Sequence, residues 1–248
     1  MRWKCTVAYD GTRFEGWQSQ PGGNTIQDLI ESRLAVIFEK RVVIHGSGRT
    51  DSGVHARGQV FHFDGDWSHG PEKLVRALRT GYPNSIQVYK VEQVGDDFHA
   101  RFSAVGKRYV YQFMEGFAGP FETRWFWSTG NRRLDVGRMR AGAAHLVGRH
   151  DFSAFTANPG EERDDDPVKN LRVLDIQRQD TKVFMVAEAD GFLFRMVRSL
   201  AGCLFDVGIG KLDPDDVAKI RDKRKRTHRV ATAPAEGLFL DEVWYEGR

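Results

Sequence analysis

The chain has 248 residues, of which 40% are hydrophobic and 29% charged, with 17 Phe, 6 Trp and 6 Tyr. This suits one large domain or two small lobes and excludes intrinsic disorder and repetitive fibres, while its two cysteines, Cys5 and Cys203, exclude a disulfide framework and a Cys-x-x-Cys zinc pair. The net charge is only +3, from 37 Lys+Arg against 34 Asp+Glu, but it is uneven, with a basic run at Arg221–Arg229 and an acidic one at Glu161–Asp166.

Trp3, Cys5, Val7 and Tyr9 alternate with polar or small residues, which predicts a strand with one buried face. That pattern starts almost at Met1, so no signal peptide is expected; no apolar run approaches the ~20 residues of a membrane span. A cytoplasmic protein without membrane association is the expectation. Pro21-Gly22-Gly23-Asn24 reads as a loop, after which Thr25, with Asp28 three positions on, caps a helix carrying Ile26, Leu29, Ile30, Leu34, Ile37 and Phe38. Val42–Ile44 reads as a short strand and Gln59–Phe63 as another across a Gly-rich loop. Pro71, followed by Leu74, Val75 and Leu78, opens a second helix.

In the second half, Arg108–Met114 alternates, with Tyr109, Tyr111 and Phe113 on one face. Val136, Met139, Ala143 and Leu146 form a helical stripe stopped by Gly148, and Val183–Ala189 reads as a strand. Phe192–Phe205 reads as an apolar helix carrying Arg195 and Arg198. Asp213-Pro214-Asp215-Asp216 starts another, and Leu238–Leu240 begins a closing strand. Antiparallel strands mixed with long helices indicate an α+β fold. Two strand–helix lobes are expected, 1–103 with the Gly-rich loop at 46–56, and 104–248.

Gly46 to Ala56 is the most unusual stretch, with three glycines, three hydroxyls, Arg49, Asp51 and His55 between apolar segments. A dinucleotide fingerprint fails because its last glycine position holds Asp51. A P-loop fails at Gly210-Lys211-Leu212, where Ser or Thr is needed. What survives is a carboxylate on a tight loop beside an arginine, able to act as nucleophile, general base or hydrogen-bond acceptor, or simply to form a turn. The basic run is either a solvated face or a phosphate contact. His55, His145 and His150 match no metal-ligand spacing, and no Gly-x-Ser-x-Gly elbow supports a hydrolase.

The segment Gly48-Arg49-Thr50-Asp51-Ser52-Gly53-Val54-His55-Ala56 resembles the signature loop of the tRNA pseudouridine synthase A family, usually GRTDAGVHA, with Ser52 the one mismatch. Tyr9 to Gln18, Gly58 to Phe63, Phe98 to Ala104 with Lys107 to Tyr111, His150 to Phe155, Gly191 to Arg198 and Ala233 to Leu238 resemble further family motifs, in order and nearly end to end. Departures lie at Thr156 and Lys169, where arginine is usual, and in the acidic run at 161–166. All lie outside the signature loop.

The resemblance implies a mainly antiparallel mixed sheet flanked by helices, in two related lobes around a basic cleft. It implies a tRNA pseudouridine synthase, without metal or cofactor, acting as a homodimer on nucleotides 38, 39 and 40 of the anticodon stem-loop. Asp51 would be the catalytic aspartate. Tyr109 would stack on the extruded base and take its C5 proton, as a phenol with a π face and an oxygen can. Arg49 would fill the hole left by the flipped nucleotide or bind its phosphate, and Arg198 would pair with Asp51. Arg13, Gln18, His55, Arg101 and Lys107 would join Tyr109 and Arg49 in binding substrate. The competing reading is a non-catalytic RNA-binding or RNA-folding protein on the same scaffold, which would not require Asp51, Tyr109, Arg49 and Arg198 together.

Overall fold

The alternation at the N-terminus becomes strand β1 (Arg2–Tyr9), whose Trp3, Cys5, Val7 and Tyr9 are buried while the intervening residues are half-exposed. The computed structural model describes residues 1–157 and 166–246, so the acidic run lies outside the described residues except for Asp166. The chain divides into two compact units, Met1–Val105 together with the chain from Phe239 onward, and Gly106–Leu238. The boundary thus falls at 105/106, and the closing strand, expected with the second lobe, packs in the first unit.

In the first unit, β1 lies between β3 (His55–Asp64) and β4 (Ile86–Val94), antiparallel to both. The closing strand β10 (Leu238–Trp244) runs parallel to β3, pairing Phe239 with His55 and Leu240 with Ala56. Helix α1 (Ile26–Phe38) starts as the cap signal predicts, with the Thr25 side chain accepting from the Asp28 amide. Helix α2 (Pro71–Leu78) buries Leu74 and Leu78. Val42–Ile44 is not a strand. The two-residue strand β2 (His45–Gly46) follows it and pairs with His62 and Phe61, so Val42 and Ile44 are buried as packing residues of an extended connection.

In the second unit the strand order is β5-β9-β8-β7, with β5 (Gly106–Met114), β7 (Gly148–Asp151), β8 (Val168–Gln179) and β9 (Lys182–Ala189) pairing antiparallel. The short β6 (Trp127–Ser128) runs parallel to β5. Helix α3 (Val136–Ala144) ends a turn before Gly148, whose φ of 111° opens β7 instead. Helix α4 (Met196–Gly208) begins later than the apolar pattern predicts. Arg195 precedes it in the left-handed region at φ 55°, so Phe192–Phe194 lie outside the helix. Helix α5 (Pro214–Asp222) follows Asp213. Both units are therefore α+β, with largely antiparallel sheets and helices against them. Among the described residues, no helix is long and apolar enough to cross a membrane, and both cysteines are buried thiols whose pKa burial pushes up.

Candidate active site

Asp51 stands half-buried on the loop between β2 and β3, and the residues around it are pinned from several sides. Beneath the loop, the fully buried Ser47 donates its hydroxyl to Gln59 Oε1 (2.7 Å) and its amide to the Val60 carbonyl (2.7 Å). Gln59 in turn donates through Nε2 to the Gly48 carbonyl (2.9 Å). A buried amide side chain in an apolar strand is costly unless its partners are supplied, and here the loop supplies them. One position before Asp51, the Thr50 hydroxyl meets the Tyr9 hydroxyl at 2.8 Å, and burial pushes the Tyr9 phenol pKa up so that it stays protonated.

The chain from Asp10 to Gln18 clasps the loop from the other side. The Trp17 amide donates to the Thr50 carbonyl (3.0 Å), and the Gly53 amide (3.4 Å) and Ser52 hydroxyl (3.1 Å) both donate to the Phe14 carbonyl. Ser52, the mismatch within the loop, thus adds a bond to the clasp. Gly16 makes the close approach possible. Its φ is 92°, and a Cβ there would lie 2.6 Å from the Thr50 carbonyl oxygen. Gly16→Ala should therefore displace the segment carrying Asp51 and lower turnover about 10²-fold, the scale of an ångström-sized misplacement of a reacting group. Single-turnover kinetics on folded Gly16→Ala checks this; an unchanged rate would show that the clasp does not set the loop's position.

The other expected residues of the first unit occupy four distinct settings. Arg49 is exposed, and its Nε donates to Gln18 Oε1 (3.1 Å); Gln18 is tied to Gln27 (2.9 Å), and Gln27 to Glu31 (2.7 Å), on α1. Arg13 is exposed on the clasping segment. The ring of His55, expected to bind substrate, is fully buried, accepts the Gly11 amide at Nδ1 (3.0 Å) and stacks on Phe239 at 4.6 Å. It holds the clasp from within the core. Arg101 stands in a turn where its amide donates to His99 Nδ1 (3.1 Å) and its guanidinium sits 5.8 Å from the exposed Phe102 ring.

In the second unit, Lys107 and Tyr109 lead the β5 face that continues through Tyr111 and Phe113. Tyr109 is 8% exposed and meets Phe192 edge-on at 5.1 Å. Tyr111 is fully buried and its hydroxyl donates to the Pro234 carbonyl (2.8 Å), whereas Lys107 is half-exposed. Arg198 projects from the first turn of α4, and its Nε donates to the Ala233 carbonyl (2.8 Å). Thr156, where the family usually has arginine, is buried and donates to the Phe194 carbonyl (3.3 Å). It borders a cleft lined by Leu193, Phe194 and Val230 and by Arg224, Lys225 and Arg226 from the basic run.

Among the described residues, no group of three or more His, Cys, Asp or Glu side chains could hold a metal ion. Gln59, Tyr9 and Thr50, which brace the loop, are not singled out by the sequence as site residues. Each nevertheless lies within a motif that carries the family resemblance, Tyr9 in 9–18, Thr50 in 48–56 and Gln59 in 58–63.

A sequence model of the family described as tRNA pseudouridine synthase matches residues 6–103 and 143–246. A protein of Bacillus pumilus named tRNA pseudouridine synthase A is 43% identical over 248 residues, covering 99% of this chain and 100% of its own length. Proteins of the same name from Exiguobacterium sibiricum and Chromobacterium violaceum are 40% and 42% identical, covering 98% and 99% of this chain and 96% and 93% of their own.

Proposed function

The chain belongs to the tRNA pseudouridine synthase family, and we propose that it converts uridine in tRNA to pseudouridine through Asp51, at nucleotides 38, 39 and 40 of the anticodon stem-loop. In this isomerisation the N1–C1′ bond breaks, the base rotates, and a C5–C1′ bond forms. The C5 proton leaves and N1 takes one up, so atoms and oxidation state balance without a cofactor. Asp51 acts as the nucleophile that holds the nucleoside while the base turns. The Tyr109 ring stacks on the extruded base and its oxygen receives the C5 proton. Arg49 occupies the hole left by the flipped nucleotide or holds its phosphate, and Arg198 pairs with Asp51.

The observation that carries this reading is the bracing of the loop. Bonds on Ser47, Thr50, Ser52 and Gly53 fix the backbone on both sides of Asp51. Such preorganisation suits a group that must react from one position, and a turn-forming aspartate would not need it. Mapping pseudouridines in an unmodified tRNA after incubation tests the reading; modification confined to nucleotides outside the anticodon stem-loop would contradict the assigned position. A homodimer in the cytoplasm belongs to the same proposal, and the molar mass in solution reads its oligomeric part.

Arg224 and Lys225 are exposed, whereas Arg226 turns inward. The phosphate footprint of the basic run is therefore assigned to the first two. The logarithm of the tRNA association constant should fall linearly with the logarithm of salt concentration. Arg224→Ala with Lys225→Ala should make that slope shallower by about 1 for each phosphate no longer neutralised. An unchanged slope would place the footprint on another surface.

A further inference from the structure

Arg226 belongs by sequence to the most basic stretch of the chain and lines the same cleft as Arg224 and Lys225, yet its guanidinium is held by oxygens of the fold. Its Nη1 donates to Ser199 Oγ (2.8 Å), and its Nη2 donates to the Val230 carbonyl (2.7 Å) and Thr232 Oγ1 (2.8 Å). Ser199 is fully buried in the first turn of α4, directly after Arg198. The guanidinium therefore ties the start of α4 to the segment 230–232. Burial, and the Arg195 guanidinium near it, push its pKa down. A cation in that setting is retained only where its donors are filled.

The same segment holds Arg198 from its other end. The Ala233 amide donates to the Arg198 carbonyl (3.0 Å), and Arg198 Nε donates back to the Ala233 carbonyl (2.8 Å). One turn along α4, a Cβ on Gly202 would lie 2.3 Å from the Ala231 carbonyl oxygen, so 231–233 presses directly on the helix backbone. A guanidinium is planar, and fixing its Nε–H on one acceptor sets the direction of both terminal nitrogens. The Arg198 fork is thus aimed by the Ala233 carbonyl, and the strip bearing that carbonyl is anchored by Arg226 at Val230 and Thr232.

We propose that Arg226 is a positioning residue for the reaction, holding segment 230–233 against α4 so that the Ala233 carbonyl orients Arg198. This rests on the reading of Arg198 as the partner of Asp51. Lysine keeps the charge of Arg226 but is a point donor that cannot reach the Ser199 and Thr232 oxygens as a rigid fork does.

The test is a double-mutant cycle in single-turnover assays at saturating tRNA, with Arg226→Lys, Arg198→Lys and the double variant, alongside tRNA affinity and thermal melting. Arg226→Lys should slow isomerisation about 10- to 100-fold while affinity stays within a few-fold. The double variant should be no slower than Arg198→Lys alone, because the two changes remove the same alignment. Losses that multiply would overturn the proposal, since a merely structural arginine would act independently of Arg198. So would full rescue by lysine, or a loss of affinity with turnover intact, which would make Arg226 a phosphate contact. Should Arg226→Lys fail to fold, Thr232→Val removes one acceptor at nearly constant shape. It should give a smaller loss that likewise vanishes in the Arg198→Lys background; additive losses there would be equally fatal. Normal turnover by Arg198→Lys itself would remove the assigned role of Arg198, and this inference with it. A slow Arg198→Lys beside a normal Arg226→Lys would overturn the inference alone.

Discussion

Asp51→Asn is expected to give no measurable pseudouridine, a loss of at least about 10⁴-fold on the scale of a removed nucleophile or its partner, with tRNA affinity within a few-fold of the unaltered protein. Asparagine has almost the same shape, but its amide is neutral and does not attack carbon. The loop should keep its course, because the bonds that fix it run through Ser47, Thr50, Ser52, Gly53 and the Asp51 carbonyl, which accepts from the Val54 amide at 3.1 Å. A rate assay together with a filter-binding or fluorescence titration separates the two quantities. Product formed by Asp51→Asn at near the unaltered rate would remove Asp51 from the mechanism.

Tyr109→Phe should divide stacking from proton transfer. The ring that meets Phe192 edge-on is kept, and with it the proposed base stacking, worth about 1–3 kcal/mol, but the oxygen proposed to receive the C5 proton is gone. Affinity should stay near normal while turnover falls on the order of 10²-fold or more, the scale of a lost general base. Tyr109→Leu should lose the stacking as well and weaken binding. Normal turnover by the phenylalanine variant would exclude the hydroxyl as base. Normal turnover by both would leave Tyr109 a packing residue of β5, in the company of the buried Tyr111 and Phe113.

The elements legible in the sequence are those in which one local rule acts alone. Strict alternation marks β1, where the buried face never changes, and a capping hydroxyl followed by helical spacing marks α1. Strands β4 and β8 are hidden because each carries a bulge. Tyr89 is the extra residue where β4 pairs with β1, and Arg172 where β8 pairs with β9, so the buried face shifts midway and alternation is lost. The start of α4 is obscured because Phe192–Phe194 continue its apolar pattern, while the left-handed Arg195 breaks the helix path. A non-glycine residue in that region costs on the order of 1–3 kcal/mol and persists only where surrounding structure imposes it, which no local pattern reveals.

The candidate site is legible as a string and not as an arrangement. Asp51 and its neighbours stand out by composition, and the stretch from Tyr9 to Gln18 by resemblance. That the second clasps the first emerges only from the Trp17–Thr50 and Phe14–Gly53 backbone bonds. His55 and Arg226 read in the sequence as ligand contacts, whereas in the fold His55 Nδ1 accepts the Gly11 amide and Arg226 donates to Ser199, Val230 and Thr232.

If this chain breaks and remakes the glycosidic bond of a tRNA uridine through Asp51, hydrogen must leave C5 of the base in step with product. An unmodified tRNA carrying uridine tritiated at C5 is incubated with the protein, and tritium in solvent is counted against pseudouridine formed. One C5 hydrogen should be released per pseudouridine with the unaltered protein, and none with Asp51→Asn. Tight binding of that tRNA with no tritium released by the unaltered protein would refute the mechanism and leave an RNA-binding protein on a synthase scaffold.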